Sequence, residues 1–525
     1  MFKIVIFTFW DKNLEKGIMR RIFTTFSFLA LFCCAVNAQT GLREYIQILE
    51  STEELGEAVW GIKASRYGGG DIVDFNSSTR MLPASNTKLV TTGLALLELG
   101  PDYSFKTRLA YSGTISEGIL KGDLYIVGGG DPTISARDSV SRPSLETFVS
   151  WQKIISDAGI NRIEGHLIGD GRLYGDELEN YSWEYGDLGS YYAPGGTGLS
   201  FYKNIQDFII SPGASEGSPV GVEAVFPITP FISIRSVAKT AEPGTGNDLV
   251  YVSTDMVPYA EMRGTVESNR KPFRMSGSNK FGAMTCAWHF YKYLESCGMA
   301  VTEGPADIDN LGFIRNFSDN ALPAAAGPDE LTFIGESASP SLLDIARETN
   351  NISDNFYAET ILRALALEKT GSARYDSCAV AETAALKHLA EIARNCETFN
   401  LPSDFGNDIC LVDGSGLSRH DYVTPAFFVD FLSAMMATDV YDEYLSIIPP
   451  PNARLRKAPE EIRGRVHMKS GSMSGVRCFS GYISPTSGRR EDTIVFSIMT
   501  NNTIVPRSRI DFIMDKIITL LAREN

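Results

Sequence analysis

Two kinds of hydrophobic pattern divide this chain. Residues 42–54 space their apolar positions as an amphipathic helix does, and runs at 57–65 and 71–75 read as strands. From Pro83 to Leu99 a dense Leu/Ala/Val stripe, with Pro83 near its start and Gly100-Pro101 as a stop, predicts a buried helix. Between about 102 and 332 the character changes. Gly, Pro and β-branched residues dominate, and short strands with sharp turns are expected, for instance Leu124–Val127 ahead of Gly128-Gly129-Gly130-Asp131-Pro132. Residues 209–232 and 249–257 read as further strand, and 145–158 and 279–297 as helix. After about 333 the compact pattern resumes, with helices at 342–352, 356–367, 377–395 and 425–436, strands at 464–468, 477–483 and 492–500, and an amphipathic helix at 509–523.

The α/β pattern interrupted by a β-rich stretch implies segments 39–101 and 333–525 forming one domain, with 102–332 inserted and about 204–270 nested as a possible third. A length of 525 residues agrees with several cores. At the N-terminus Arg20 and Arg21 precede an apolar run from Ile22 to Val36, and Val36-Asn37-Ala38 offers a cleavage site, so residues 1–38 read as an export signal. Asp11, Lys12 and Glu15 are foreign to such a signal, so Met19 is a candidate start. The run is short for a membrane span. Bulky Leu31 and Phe32 before Cys33-Cys34 disfavour a lipid anchor. An exported, periplasmic or cell-envelope location follows, without a transmembrane anchor.

The net charge of −16 argues against nucleic-acid binding. Beyond the signal, Cys286, Cys297, Cys378, Cys396, Cys410 and Cys478 remain. Export permits disulfides. Cys396 with Cys410 is the most plausible local pair, with free buried thiols the alternative. No C-x-x-C or H-E-x-x-H pattern occurs, and no metal or cofactor is expected.

Three short motifs carry the chemistry: Ser85-Asn86-Thr87-Lys88, Ser353-Asp354-Asn355 and Lys469-Ser470-Gly471. The set S-x-x-K, S-x-N, K-[ST]-G belongs to penicillin-recognising serine enzymes. Each triplet recurs, at Ser236–Lys239, Ser318-Asp319-Asn320 and Lys369-Thr370-Gly371, so context decides. Ser85 opens a long apolar helix, with Lys88 on its face. Ser353 joins two apolar helices, and Lys469 follows strand residues. Ser236 runs into a turn, Ser318 sits before Ala321-Leu322-Pro323 in a loop, and Lys369 ends a helix capped by Gly371, where a solvated lysine is expected.

The chain resembles the penicillin-binding-protein-4 type of D-alanyl-D-alanine carboxypeptidase/endopeptidase. The resemblance rests on Pro83–Leu89, Gly122-Asp123-Leu124-Tyr125, Gly128–Thr133, Asp354–Glu359 and Asp413–Arg419, and on the long gap between the first two motifs. Ser470 stands where that family usually has threonine, and His420 where a residue is often acidic. The resemblance implies a penicillin-recognising transpeptidase-like domain, an antiparallel sheet flanked by helices, with large β-rich inserted domains. It implies Ser85 as nucleophile and Ser85 and Ser472 N–H groups as oxyanion hole. Lys88 is the candidate base once burial and the Lys469 ammonium lower its proton affinity. Ser353 would relay a proton, Asn355 would bind the substrate amide and steady Lys88, and Lys469, Ser470, Gly471 and Ser472 would hold a terminal carboxylate. Peptidoglycan stem peptides and cross-links would be substrates and β-lactams covalent inhibitors. Glu184 or Asp187, beside Trp183 and Tyr185, are candidates for a diamino acid's amine. His166, His289, His388 and His467 read as structural. The rival readings are a serine β-lactamase, which needs a carboxylate and water for rapid deacylation, and a non-catalytic β-lactam or wall-binding module.

Overall fold

The computed structural model describes residues 41–52, 57–308, 327–450, 455 and 459–524. The export signal, the cysteines at 33 and 34 and the Ser318 triplet lie outside them. One antiparallel sheet of five strands joins the two ends of the chain, in the order Val466–Met473, Val476–Ile483, Ile494–Asn501, Val59–Arg66, Asp71–Phe75. Alternation sorts its side chains. Phe479, Phe496 and Ile498 face the terminal helices Leu42–Glu50 and Arg507–Glu524. Cys478, Tyr482, Val495 and Met499 face a larger helical layer. The two central strands are buried along their whole length, as a sheet covered on both sides requires.

The helical layer is built around Thr87–Leu99, whose residues 87–96 are all buried. Helices Leu342–Ile352, Asn355–Thr370, Tyr375–Arg394 and Pro425–Met435 share its core. The predicted helix at 83–99 begins instead with a tight 3-10 turn, Ala84–Asn86, before the α-helix proper. The strand expected to stop at 468 runs on to Met473, so the third motif lies inside an edge strand rather than after it.

Between 106 and 338 the strands form other sheets. Lys106–Tyr111, Leu124–Val127, Leu167–Asp170, Pro305–Asp307 and Thr332–Ala338 make a mixed five-stranded sheet, under Ser144–Asp157 and Gly282–Ser296. The strand Thr332–Ala338 pairs with Lys106–Tyr111. Strands from 205 to 278 close two small sheets around their own core of Phe208, Ile210, Met262 and Val266. The predicted run at 209–232 is broken into Ile205–Ser211, Gly221–Phe226 and a short strand from Ser233. The strand Tyr259–Glu267 was not foreseen, because alternating exposed residues blur its pattern. No described helix is long and apolar enough to cross a membrane.

All six cysteines of the described chain are free, so Cys396 and Cys410 do not pair. Cys396 lies just past its helix against the Tyr67 hydroxyl, at 3.3 Å, while Cys410 bridges by its backbone to Tyr422.

Truncating Ile498, fully buried in a central strand, should cost about 2–5 kcal/mol in chemical denaturation. Ile504→Ala, at a side chain 94% exposed, should change stability by less than about 0.5 kcal/mol.

Candidate active site

Ser85 stands in the 3-10 turn that leads into the buried helix, one turn ahead of Lys88. The turn starts from Ala84 at φ 47°, a left-handed conformation that costs a non-glycine residue energy and marks a position held by its surroundings. Asn86 fastens the turn to the sheet through Nδ2, which donates to Ser480 Oγ at 2.7 Å.

Lys88 is fully buried, and its Nζ has three neighbours. They are Asn355 Oδ1 at 2.7 Å, the Ser415 carbonyl at 2.7 Å and Ser85 Oγ at 3.1 Å. The first two can only accept hydrogen bonds, while a hydroxyl can also donate. An amine carrying two hydrogens would therefore give both to Asn355 and Ser415 and turn its lone pair to the Ser85 hydroxyl. Burial lowers the Lys88 pKa from its ordinary value to about 8. The charges acting on it are carboxylates, Asp413 first and then Glu359, Asp354 and Asp421, and they oppose the burial. Desolvation therefore does the work that sequence reasoning divided between burial and Lys469.

Asn355 is the first residue of its helix. The orientation of its amide follows from Nδ2, which donates to the Tyr192 carbonyl at 2.9 Å and so leaves Oδ1 for Lys88. Ser353 caps the preceding helix in a left-handed conformation, φ 62° and ψ 44°. That kink between two helices turns its hydroxyl toward Lys469, whose Nζ donates to Ser353 Oγ at 2.8 Å and to the Ser470 carbonyl at 2.9 Å. Lys469, Ser470 and Gly471 are buried, while Ser472 is exposed. Gly471 has a steric reason: a Cβ there would lie 2.6 Å from the Pro83 carbonyl and 3.0 Å from the Ser85 nitrogen. The edge strand thus runs directly against the turn that carries Ser85.

The loop Asp413–Ser418 was quoted in the sequence only for its resemblance, yet it supplies the Ser415 carbonyl. Asp413 shapes it by accepting from Gly416 N at 2.6 Å, Ser418 N at 2.7 Å and Trp183 Nε1 at 2.9 Å. Gly416, at φ 77°, lies where a Cβ would strike the Ala84 carbonyl. Its glycines were the available signal. Behind the loop are buried carboxyl groups. Glu359 accepts from Gly414 N and, like Glu382, is pushed by burial up to about 8; Asp421 is pushed well above the carboxylate range. Tyr192 and Lys203, both from the stretch between 106 and 338, carried no sequence signal.

The other candidates fall elsewhere. Glu184 and Arg419 approach only to 3.9 Å on the surface. Asp187 accepts from the Tyr192 hydroxyl at 2.9 Å, and burial raises its pKa. Ser236 and Lys239 are exposed on separate short strands. Lys369 is exposed as expected and also pairs with Glu98, and Gly371 caps its helix at φ 75°. His166 meets Asp123, His388 meets Glu98, His467 lies near the Ile448 carbonyl, and His289 stacks on Phe201.

Residues 42–523 match the family described as D-Ala-D-Ala carboxypeptidase 3 (S13). A D-alanyl-D-alanine carboxypeptidase of an Actinomadura species is 26% identical over 483 residues, 88% of this chain and 81% of that one. A penicillin-sensitive carboxypeptidase A of Dictyostelium discoideum is 25% identical, covering 88% and 87%. The fold is that of the crystal structure of penicillin binding protein 4 (dacB) from Haemophilus influenzae, with a TM-score of 0.72 at 21% identity, covering 93% of this chain and 99% of that one.

Buried neutral acids give a stability trend with a definite sign. Glu359 and Glu382 ionise near 4.5 when unfolded but near 8 when folded, so their burial is tolerated at low pH and penalised as pH rises. His289, lowered to about 4, acts only below about 6.5. The melting temperature should fall between about pH 6.5 and 8, and Glu382→Gln should flatten the slope by about 1.4 kcal/mol per pH unit. A slope unchanged by that substitution would contradict the assignment.

Proposed function

The chain belongs to the D-Ala-D-Ala carboxypeptidase 3 (S13) family, and from that premise we propose that Ser85 is the acylated nucleophile of a serine-type D-Ala-D-Ala carboxypeptidase. The observation that carries the role assignment is the arrangement around Lys88. Two obligate acceptors would take the hydrogens of its neutral amine and leave the lone pair to the Ser85 hydroxyl.

In this reading Ser85 Oγ attacks the carbonyl of the penultimate D-alanine, and its proton passes to Lys88 Nζ. The backbone N–H groups of Ser85 and Ser472 receive the oxyanion, which the close approach of Gly471 to the Ser85 nitrogen supports. Ser353, held by Lys469, hands a proton to the departing nitrogen as the C–N bond breaks. Lys469, Ser470 and Ser472 take the terminal carboxylate. The substrate lies along Val466–Met473, an edge strand open to pairing on one side. Water then releases the acyl group. Asn355 orients both Lys88 and the substrate amide.

Peptidoglycan stem peptides in the cell envelope are the substrates this reading requires, and cross-links between stems are a second class. We assign the export signal to residues 1–38. The catalytic domain is 39–101 with 333–525, the insertion is 102–332, and a third unit lies at about 204–270. Asp187, tied through Tyr192 to Asn355, is better placed than Glu184 to meet the amine of a diamino acid. The carboxyl groups nearest Lys88 lie buried behind it, and Glu359 keeps its proton to about pH 8, which favours a long-lived acyl-enzyme over β-lactamase turnover.

Labelling by a fluorescent penicillin and release of D-alanine from a pentapeptide should both vanish in Ser85→Ala, and Lys88→Gln should slow acylation by roughly 10²–10⁴. Persistent labelling of Ser85→Ala would refute the nucleophile. The acylation rate of the native protein should fall about tenfold per pH unit below about 8 and level off above it, because only uncharged Lys88 accepts the proton. A rate that stays flat down to about pH 6 would remove Lys88 as the base.

A further inference from the structure

A cavity of about 450 Å³ lies between the helix Tyr375–Arg394 and the loop that runs from Ser403 to Leu411. Its volume lies in the range of ligand sites, and no residue of the three motifs lines it. The helix presents two rows to it, each spaced by four residues. Glu382, Leu386 and Ala390 form the inner row and are buried, while Thr383, Lys387 and Glu391 form the outer row and are exposed. Phe405 and Leu411 add apolar wall from the loop.

The inner row ends on an unpaired acid. Glu382 is 4% exposed, and its Oε1 is buried with no hydrogen-bond partner among the described residues. A buried carboxyl oxygen without a donor is costly, and such atoms are few in folded proteins. Its nearest charges make the position harder to hold. Asp413 and Glu359 act on Glu382, both repel its negative form, and with burial they push its pKa up to about 8. Glu382 forms no ion pair among the described residues. Lys387 and Arg394 line the cavity from its exposed side, beside Glu391, where water screens them.

These features define an occupant. It donates hydrogen bonds, because an ionised carboxyl group only accepts them. It is positive, because the groups behind Glu382 are carboxyls. It carries hydrocarbon, because Leu386, Ala390, Phe405 and Leu411 flank the approach. It is organic, because no three His, Cys, Asp or Glu side chains converge on a metal position among the described residues.

We propose that this cavity is a second ligand site, which takes a small organic ammonium ion with a short hydrocarbon body and seats its nitrogen on Glu382. No covalent bond changes. Glu382 gives its proton to solvent, and the ammonium keeps its hydrogens and donates one to the freed carboxylate. Leu411 stands just ahead of Asp413 in the chain, so the occupant lies behind the loop that holds Lys88 rather than in the cleft of Ser85.

The test titrates butylammonium into the full-length protein by calorimetry, with butanol as its uncharged counterpart. Butylammonium should bind saturably, and butanol at least tenfold more weakly. The alkylammonium ion stays charged up to about pH 10, whereas Glu382 must ionise, so affinity should rise about tenfold per pH unit from about pH 6 to 8 and level off above. At about pH 7 the binding should release about one proton per ammonium. Glu359, also pushed up to about 8, and Asp421, pushed well above the carboxylate range, stand in the same buried group, so a substitution must assign the proton. E382Q keeps the shape of the neutral acid. It should lower the affinity at least tenfold at about pH 8 and abolish the proton release. Equal binding of butanol, an affinity flat between about pH 6 and 8, undiminished binding by E382Q, or no saturable binding of butylammonium would each overturn the proposal. If E382Q does not fold, the proton release and the butanol comparison in the native protein decide it.

Discussion

A lysine amine sealed from water must place every hydrogen, and its lone pair, on atoms of the protein. Lys88 meets that demand with two carbonyl oxygens and one hydroxyl. A second donor beside the Ser85 hydroxyl would compete for the lone pair, and loss of either carbonyl would strand a hydrogen in an apolar setting. The three groups come from the turn that leads into the Lys88 helix, from the start of a helix 267 residues on, and from a loop 327 residues on. Burial shifts the amine toward neutrality, while the carboxylates nearby pull it back. Glu359 and Asp421 weaken that pull when they hold their own protons, which the same burial makes them do. The same burial thus draws both an amine and several acids toward their uncharged forms.

Close approach is the second constraint, and glycine allows it twice. The edge strand reaches the Ser85 turn because Gly471 has no side chain, and the Ser415 loop reaches the same turn because Gly416 has none. Ala84 and Ser353 take the remaining strain in left-handed backbone. The sheet bears this cost because its central strands and the helix Thr87–Leu99 are buried and fixed on every side.

What could be read from the sequence follows from what is local. The long helices and the strands of the main sheet show themselves by period, and Ser85 with Lys88 shows itself by a three-residue spacing on a buried helix. Two decoy triplets were separable by local punctuation: Ser236 runs into a turn that no helix could cross, and Lys369 stands at a helix end capped by Gly371. Contacts made by backbone atoms left no such trace. Ser415 acts through its carbonyl and Tyr192 through its carbonyl, so the side chain at either position does not advertise the role. The Cys396–Cys410 pairing failed because closeness in sequence says nothing of direction: Cys396 meets the Tyr67 hydroxyl, and Cys410 is free and exposed. The sequence pointed to burial and the Lys469 ammonium together as causes of the Lys88 shift; burial is the largest, and the charges that act most strongly are carboxylates that oppose it.

The stretch between 106 and 338 bears on the site through contacts as specific as those of the motifs. Trp183 fixes Asp413, which shapes the loop whose carbonyl holds Lys88. Tyr192 fixes the Asn355 amide, and Lys203 fixes Asp354 at the cap of the same helix. Each of these three residues reaches across to a group that either touches Lys88 or positions one that does. This stretch is therefore no passenger beside the main sheet: without it, Asn355 would lose the acceptor that decides which end of its amide faces the lysine, and the hydrogen bonding around Lys88 would no longer have a single solution.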